Sequence, residues 1–404
     1  MKGNLYIFAL LIALSAANIY GQTNIGQYED EAPLGSWNLW GPYSSRSLGM
    51  GQVSLAFPYD SSAGFHNPAA LPFVSGSHIV LNLVGNSASF YKYSLVNTGV
   101  ISIRSPASAA YFSVGYVGGV YQRGRWAFSL NYGELENYLR PSVEYFEGAG
   151  LHCRYRGSLD YVNLAVARRL SDRIALGVAI NRVWGERLRE IEYSFYTESI
   201  RNLSVERMNQ TLIGYYLIAG LLISVNDKLN LAVAWRSPHK RSAKSSFYRE
   251  FSNRFVFIPS RAESDNDEYK IPSVIGFGAG YRVNSRLTLG MDIALFGWKK
   301  YEVTYFGEAT PRSFASRTKV NIGAEYLLPI RISQRRVILP LRLGYYYDPQ
   351  PPINPETNYH HLTLGCGLKL WRLNFDVAFT YGLENSSGHG LRRSTVNFST
   401  IYHF

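Results

Sequence analysis

Along much of this chain, large apolar residues recur at every second position. In 125–132, Trp126, Phe128, Leu130 and Tyr132 share one face, with Arg125, Ala127, Ser129 and Asn131 on the other. The pattern returns in 173–180 (Ile174, Leu176, Val178, Ile180) and 228–236 (Leu229, Leu231, Val233, Trp235). It returns again in 286–295 (Leu287, Leu289, Met291, Ile293, Leu295) and 371–381 (Trp371, Leu373, Phe375, Val377, Phe379, Tyr381). A period of two is that of a β-strand with chemically distinct faces. A soluble sandwich would turn such apolar faces inward. Here aromatic residues sit at the ends of the stripes, Trp126 and Tyr132, Trp371 and Tyr381. That is where a lipid-facing surface carries its interfacial girdles.

The spacing of the strands sharpens this. Strands are predicted near 77–90, 108–119, 124–133, 157–169, 173–186, 210–225, 228–237, 272–283, 286–298, 317–329, 336–347, 359–370, 371–382 and 392–404. Short turns such as Ser171-Asp172, Asn226-Asp227 and Asn284-Ser285 alternate with longer connections at 91–107, 134–156, 187–209, 238–271, 299–316, 348–358 and 383–391. Strict alternation puts all short turns on one side and all long loops on the other, as in outer-membrane barrels. The expected fold is therefore all-β, a transmembrane antiparallel barrel of about 14 strands. An even count returns both ends of the chain to the periplasm. The last strand, with Val396, Phe398, Thr400, Tyr402 and Phe404 on one face, reads as lipid-facing, and its terminal Phe resembles the C-terminal signal of outer-membrane barrels, which implies the barrel assembly machinery as a partner.

Lys2, the apolar run Leu5–Ala17 and the small residues near Gly21 read as a signal peptide, 1–22. The run is too short to cross a bilayer as a helix, and no later segment offers 18 uninterrupted apolar residues. Tyr (31), Phe (21), Trp (7) and Gly (36) are abundant while charged residues make up 17%, a balance that suits interfacial aromatics and bent strands. The net charge of +12 gathers at Pro238–Arg249 and Arg331–Arg336, read as a loop and a turn that touch anionic outer-membrane lipids rather than nucleic acid. Cys153, in an expected loop, and Cys366, in an expected strand, are too far apart in sequence to argue a disulfide.

No enzyme signature is present. Glu190 and Glu192 lack a His partner, His360 and His361 alternate faces on a strand, and His152-Cys153 has no second half. Gly49-Met50-Gly51 has neither the Lys nor the helix of a phosphate loop. No metal or other cofactor is expected.

The segment before the first strand reads Arg46-Ser-Leu-Gly-Met-Gly-Gln-Val-Ser-Leu-Ala56, then Asp60-Ser-Ser-Ala-Gly-Phe-His-Asn-Pro-Ala-Ala-Leu71. Its Gly-x-Gly start and the triplet Asn67, Pro68, Ala69 resemble the N-terminal hatch of the FadL/TodX family. Ala234–Pro238, Ile271-Pro272 with Gly276–Arg282 and Leu289–Trp298, and Leu341–Asp348 with Pro349–Pro355 resemble later parts of that family. The resemblance implies a hatch (plug) in the lumen, residues 23–76, and a barrel over 77–404. It also implies an outer-membrane uptake channel for long-chain fatty acids or other hydrophobic small molecules. Ligand would be captured by extracellular loops and released past the hatch or laterally through a kinked strand. PorV-like relatives, shuttle or platform subunits of a protein secretion system, share the N-terminal pattern.

Candidate ligand contacts are Phe57 and Phe65 in the hatch and Phe247, Phe251 and Phe257 in the expected loop 238–271, beside Phe255, Val256 and Ile258. An exposed apolar patch of that kind marks an interaction site. Gly115, Gly118 and Gly119 are the candidate strand kink. At Asn67-Pro68, a rigid corner closed by the Asn side chain is the reading that turn chemistry favours.

Overall fold

The computed structural model describes residues 41–90, 107–139, 149–197, 200–310, 313–332, 335–353, 356–385 and 392–404. The signal peptide and the first part of the expected hatch lie outside them. Eighteen strand segments form one antiparallel sheet that closes on itself: β1 (His78–Phe90) pairs with β18 (Arg392–His403) from His78↔His403 to Ser89↔Arg392. Closure removes the sheet edges that a membrane could not satisfy.

The segments make fourteen staves. β2 (Ala107–Arg123), β3 (Trp126–Asn137), β4 (Ala149–Arg169), β5 (Ile174–Thr197) and β6 (Ile200–Ser224) follow β1 in order. β7 (Leu229–Arg236) and β8 (His239–Ser252) are one stave interrupted at Ser237-Pro238, since both pair with β6. β9 (Phe257–Ile271) and β10 (Val274–Arg282) are the next, interrupted at Pro272. Proline, lacking an N–H, breaks the ladder at both points. β11 (Leu287–Phe296) pairs with β14 (Arg317–Ile332), and the small hairpin β12 (Glu302–Tyr305) and β13 (Glu308–Thr310) lies between them in sequence. β15 (Arg335–Pro349), β16 (Asn358–Leu370) and β17 (Leu373–Asn385) complete the wall.

The outward face carries the predicted stripes. Leu130, Val178, Leu217, Phe277, Leu343 and Leu364 are exposed, while neighbours such as Ser129, Ala179 and Thr363 are buried against the interior. A face this apolar is soluble only in lipid. The short turns are closed by side chains: Asn226 Oδ1 accepts from the N–H of Lys228 and Leu229 (both 2.9 Å), and Asn284 Oδ1 from Arg286 and Leu287 (2.8 and 2.9 Å). These are Asx turns.

Several expected loops are strand. Residues 187–209 and 238–271 are hairpins, β5–β6 and β8–β9, and Cys153 lies on β4 opposite Ile191 rather than in a loop. Part of 299–316 is the β12–β13 hairpin. β5 and β6 run 24 and 25 residues, about twice what a bilayer takes from a tilted strand. Beyond the membrane neither face must be apolar, so the period-two signal fades although the hydrogen-bond ladder continues. Charge pairs replace it there: Glu190 accepts from Arg154 (3.0 Å) and Arg207 (2.7 Å), and Glu268 pairs with Lys240 (2.9 Å). The basic run 238–249 is thus strand, not loop. Trp371 also moves. It is 86% exposed in the two-residue turn Trp371-Arg372, with φ +53°, and β17 begins at Leu373.

Candidate functional site

Inside the barrel the described part of the N-terminal segment forms a short helix Ser45–Gly49, another Ala63–His66, and a 3-10 turn Pro68–Phe73. Helices this short have little intrinsic stability, so the wall must hold them. It does so first by making room. A Cβ on Gly278 would come within 2.6 Å of Leu55 Cβ, and one on Gly177 within 2.5 Å of the Pro68 carbonyl carbon. Cβ atoms on Gly220, Gly323 and Gly344 would overlap Asn67, Met50 and Gly51. Inward glycines on β5, β6, β10, β14 and β15 therefore form a belt against which the segment's backbone lies.

Second, inward amides and carboxylates satisfy its backbone. Asp292 Oδ2 accepts from the N–H of Ser54 (2.7 Å) and Leu55 (3.0 Å). Asn131 donates to the Ser61 carbonyl (3.1 Å) and Asn163 to that of Gly64 (3.1 Å). Asn131, Asn163 and Asn181 are in register on β3, β4 and β5 and bond one another at 3.0 and 2.9 Å. Thr363 Oγ1 accepts from Gly51 N–H (2.9 Å), and Ser45 donates to Asn397 (2.6 Å), which binds Asn82. These contacts pair buried backbone groups of the segment, while Asn131 Oδ1, Asn181 Nδ2 and Asp292 Oδ1 have no partner among the described residues.

The motif Asn67, Pro68, Ala69 is a local corner: Asn67 Oδ1 accepts from Ala69 N–H (3.1 Å) and its amide donates to Leu55 O (2.8 Å). Phe65 is fully buried, edge-on to Tyr161 (4.7 Å) and Tyr116 (5.8 Å), and Phe57 packs on Tyr59 and over Gly280 and Gly290. Both anchor the segment to the wall. His66 stacks on Tyr43 at 4.5 Å, and burial pushes its pKa from 6.5 down to about 3.

Above this layer the lumen is crossed by charge. Arg241 of β8 donates twice to Glu136 of β3 (3.0 and 3.1 Å), and Trp298, Tyr301 and Phe314 pack together beside it in the same core. A cavity of about 130 Å³ remains, bordered by Tyr43, Tyr111, Glu134, Lys319, Asp348 and Arg393. Its border includes Gly115, where the β1–β2 register steps from Asn82↔Tyr116 to Leu83↔Val114 and leaves Gly115 unopposed. Gly118 points inward at Asn131, while Gly119 faces the His78 carbonyl.

Phe247, Phe251 and Phe257 stand far from this cavity, along the β8–β9 hairpin. Phe255, Val256, Phe257 and Ile258 are exposed at its tip, and Phe247 meets Phe306 edge-on at 6.3 Å. The structure therefore separates the five candidate aromatics into a pair on the segment inside the barrel and a trio on the hairpin. Sequence reading missed the polar contacts Asn131, Asn163, Asp292 and Asn397 and the glycine belt. The signal was present, since each is the small or polar member of an alternating strand. Among the described residues no group of three His, Cys, Asp or Glu side chains could hold a metal, and no helix is long and apolar enough to cross a membrane.

Solved structures with this fold include the Ralstonia pickettii toluene transporter TbuX, 17% identical over 91% of this chain and 100% of that one, TM-score 0.69. A Pseudomonas aeruginosa FadL homologue is 15% identical over 95% and 100%, TM-score 0.67. The P. putida toluene transporter TodX is 15% identical over 91% and 99%, TM-score 0.69. No curated protein matches the sequence. The BamG family model matches residues 145–388. The chain has the fourteen-stave barrel of FadL- and TodX-type outer-membrane proteins and belongs to the BamG family.

Proposed function

We propose that this protein is an outer-membrane platform, a hatch-closed barrel that holds protein partners of envelope assembly through its extended hairpins. The carrying observation is the contrast between lumen and exterior. A pocket for an apolar small molecule encloses roughly 300–1,000 Å³ and is mostly apolar. The lumenal cavity beside Tyr43 is about 130 Å³ and bordered by Glu134, Lys319, Asp348 and Arg393, and the apolar hollow of about 1000 Å³ beside Gly118 and Gly119 is lined largely by outward residues such as Ile79, Leu81, Val117, Phe128 and Leu130. Beyond the lipid-facing band, exposed apolar residues cluster at Phe255–Ile258, the tip of a sheet that rises past the membrane. In this arrangement the segment 23–76 is the hatch, the short turns and both termini face the periplasm, and the hairpins face outward. Photocrosslinkers at Phe257 and Ile258 in intact outer membranes should trap a stoichiometric protein partner. Absence of any protein adduct from either position would overturn the platform.

A second reading follows from the Gly115 step and the likeness to the toluene transporters TbuX and TodX: passive uptake of toluene-like or fatty-acyl compounds, leaving through the wall beside Gly115. Saturable uptake of such a compound into liposomes holding the protein, abolished by filling that step with Gly115→Leu, would favour it over the platform.

A further inference from the structure

The net charge of this chain is distributed unevenly between the two ends of the barrel. Each of the six short hairpins carries an exposed cation: Arg125, Arg173, Lys228, Arg286, Arg331 and Arg372. Four more exposed cations flank them, Arg123, Arg168, Arg282 and Lys369, against two exposed carboxylates in these turns, Asp172 and Asp227. Among the described residues no carboxylate is in ion-pair contact with any of the ten cations. At the opposite end many cations are matched, as in Arg154–Glu190, Arg249–Glu206 and Lys270–Glu302, although the exposed Arg254, Arg261, Lys299 and Lys300 are in no ion pair among the described residues.

We infer that this rim binds the phosphates of anionic glycerophospholipids in the leaflet that the short turns touch. Three features select lipid over a protein partner. The cations belong to hairpins from β2–β3 round to β16–β17, so they encircle the barrel instead of forming one patch. They lie at the level of exposed aromatics at the border of the apolar band, Trp126, Tyr281, Trp371 and Phe404, where head groups meet acyl chains. The Arg168 guanidinium stands 5.1 Å from the Trp126 ring, which leaves its outer edge free to donate to phosphate. The inference rests on the fold and is independent of the platform reading.

The test is the full chain in bilayers of dibrominated phosphatidylcholine or phosphatidylglycerol, read by quenching of tryptophan fluorescence. A cation near an anionic membrane surface contributes enough for about fivefold preference. Wild type should favour phosphatidylglycerol by roughly that factor at low salt, and the preference should vanish at high salt. It should vanish also in the variant Arg125→Gln, Arg173→Gln, Lys228→Gln, Arg286→Gln, Arg331→Gln, Arg372→Gln, its folding checked by gel mobility. Should that variant not fold, Arg125→Gln with Arg286→Gln should halve the preference or more. Equal association of both lipids with wild type, or a preference kept in the folded variant, overturns the assignment. Stronger competition by lipid A than by phosphatidylglycerol would give the rim to the other leaflet's glycolipid and likewise overturn it.

Discussion

Arg46, in the segment inside the barrel, holds Glu325 of β14 with two nitrogens, Nε to Oε2 at 3.0 Å and Nη2 to Oε1 at 2.6 Å. The same carboxylate accepts from Arg342 of β15 (2.7 Å), which also donates to Asp376 of β17 (2.5 Å). One acidic side chain thus ties the enclosed N-terminal segment, the proposed hatch, to two staves of the wall.

Glu325→Gln should loosen that tie while the barrel stays closed. Removing one partner of a buried pair costs several kcal/mol. Arg46 is only partly buried, so a local loss of about 2–3 kcal/mol is expected after solvent screening. Hydrogen exchange of the backbone over 45–52 measures it. Unchanged protection in the variant would show that the glycine belt alone suffices.

Gly323→Val tests the belt. Its side chain would overlap the Met50 carbonyl, so the hatch must shift and ion conductance through single barrels should rise above that of wild type. Gly85→Ala, whose Cβ meets nothing closer than 3.5 Å, is the control and should leave conductance as it was. Equal conductance in all three proteins contradicts the close approach.

His66 predicts an acid response. Its pKa is lowered from 6.5 to about 3 in the folded protein, so the unbound hatch takes up a proton that the bound hatch does not. The contribution of His66 to the segment's stability is therefore complete above about pH 6.5 and is lost as pH falls toward 3, by about 3 kcal/mol at pH 4. Protease sensitivity of 41–66 against pH reads this. In His66→Phe, which keeps the stack on Tyr43, the pH profile should differ from that of wild type below pH 6.5 by the loss of this contribution.

Val178 separates a lipid-facing wall from a soluble one. It is exposed within the apolar stripe Ile174, Leu176, Val178, Ile180 of β5, so Val178→Arg should cost roughly 2–4 kcal/mol in urea unfolding from bilayers. On a water-facing surface the same change costs within about 0.5 kcal/mol. A value that small would remove the membrane from this face.

Strand alternation, turn residues and loop order determined, by themselves, that fourteen staves close with large apolar side chains outward. These are local signals. A lipid-facing strand must alternate, and an Asn or Asp at a tight turn bonds its own backbone. Asn253, whose Oδ1 accepts from Phe255 and Val256 N–H, repeats the signature of Asn226 and Asn284 and could have exposed the β8–β9 hairpin. The extensions past the bilayer were hidden because water accepts either face of a strand.

Only the tertiary structure decided which small residues matter. Gly323 and Asp292 look alike in sequence, each the minor face of a strand. Their roles exist only because Met50 and Ser54, more than two hundred residues earlier, fold against them. Period-two patterning records which side of the wall a residue faces. It carries no record of which distant backbone will lie there, since that is set by the closure of the barrel around the segment it encloses.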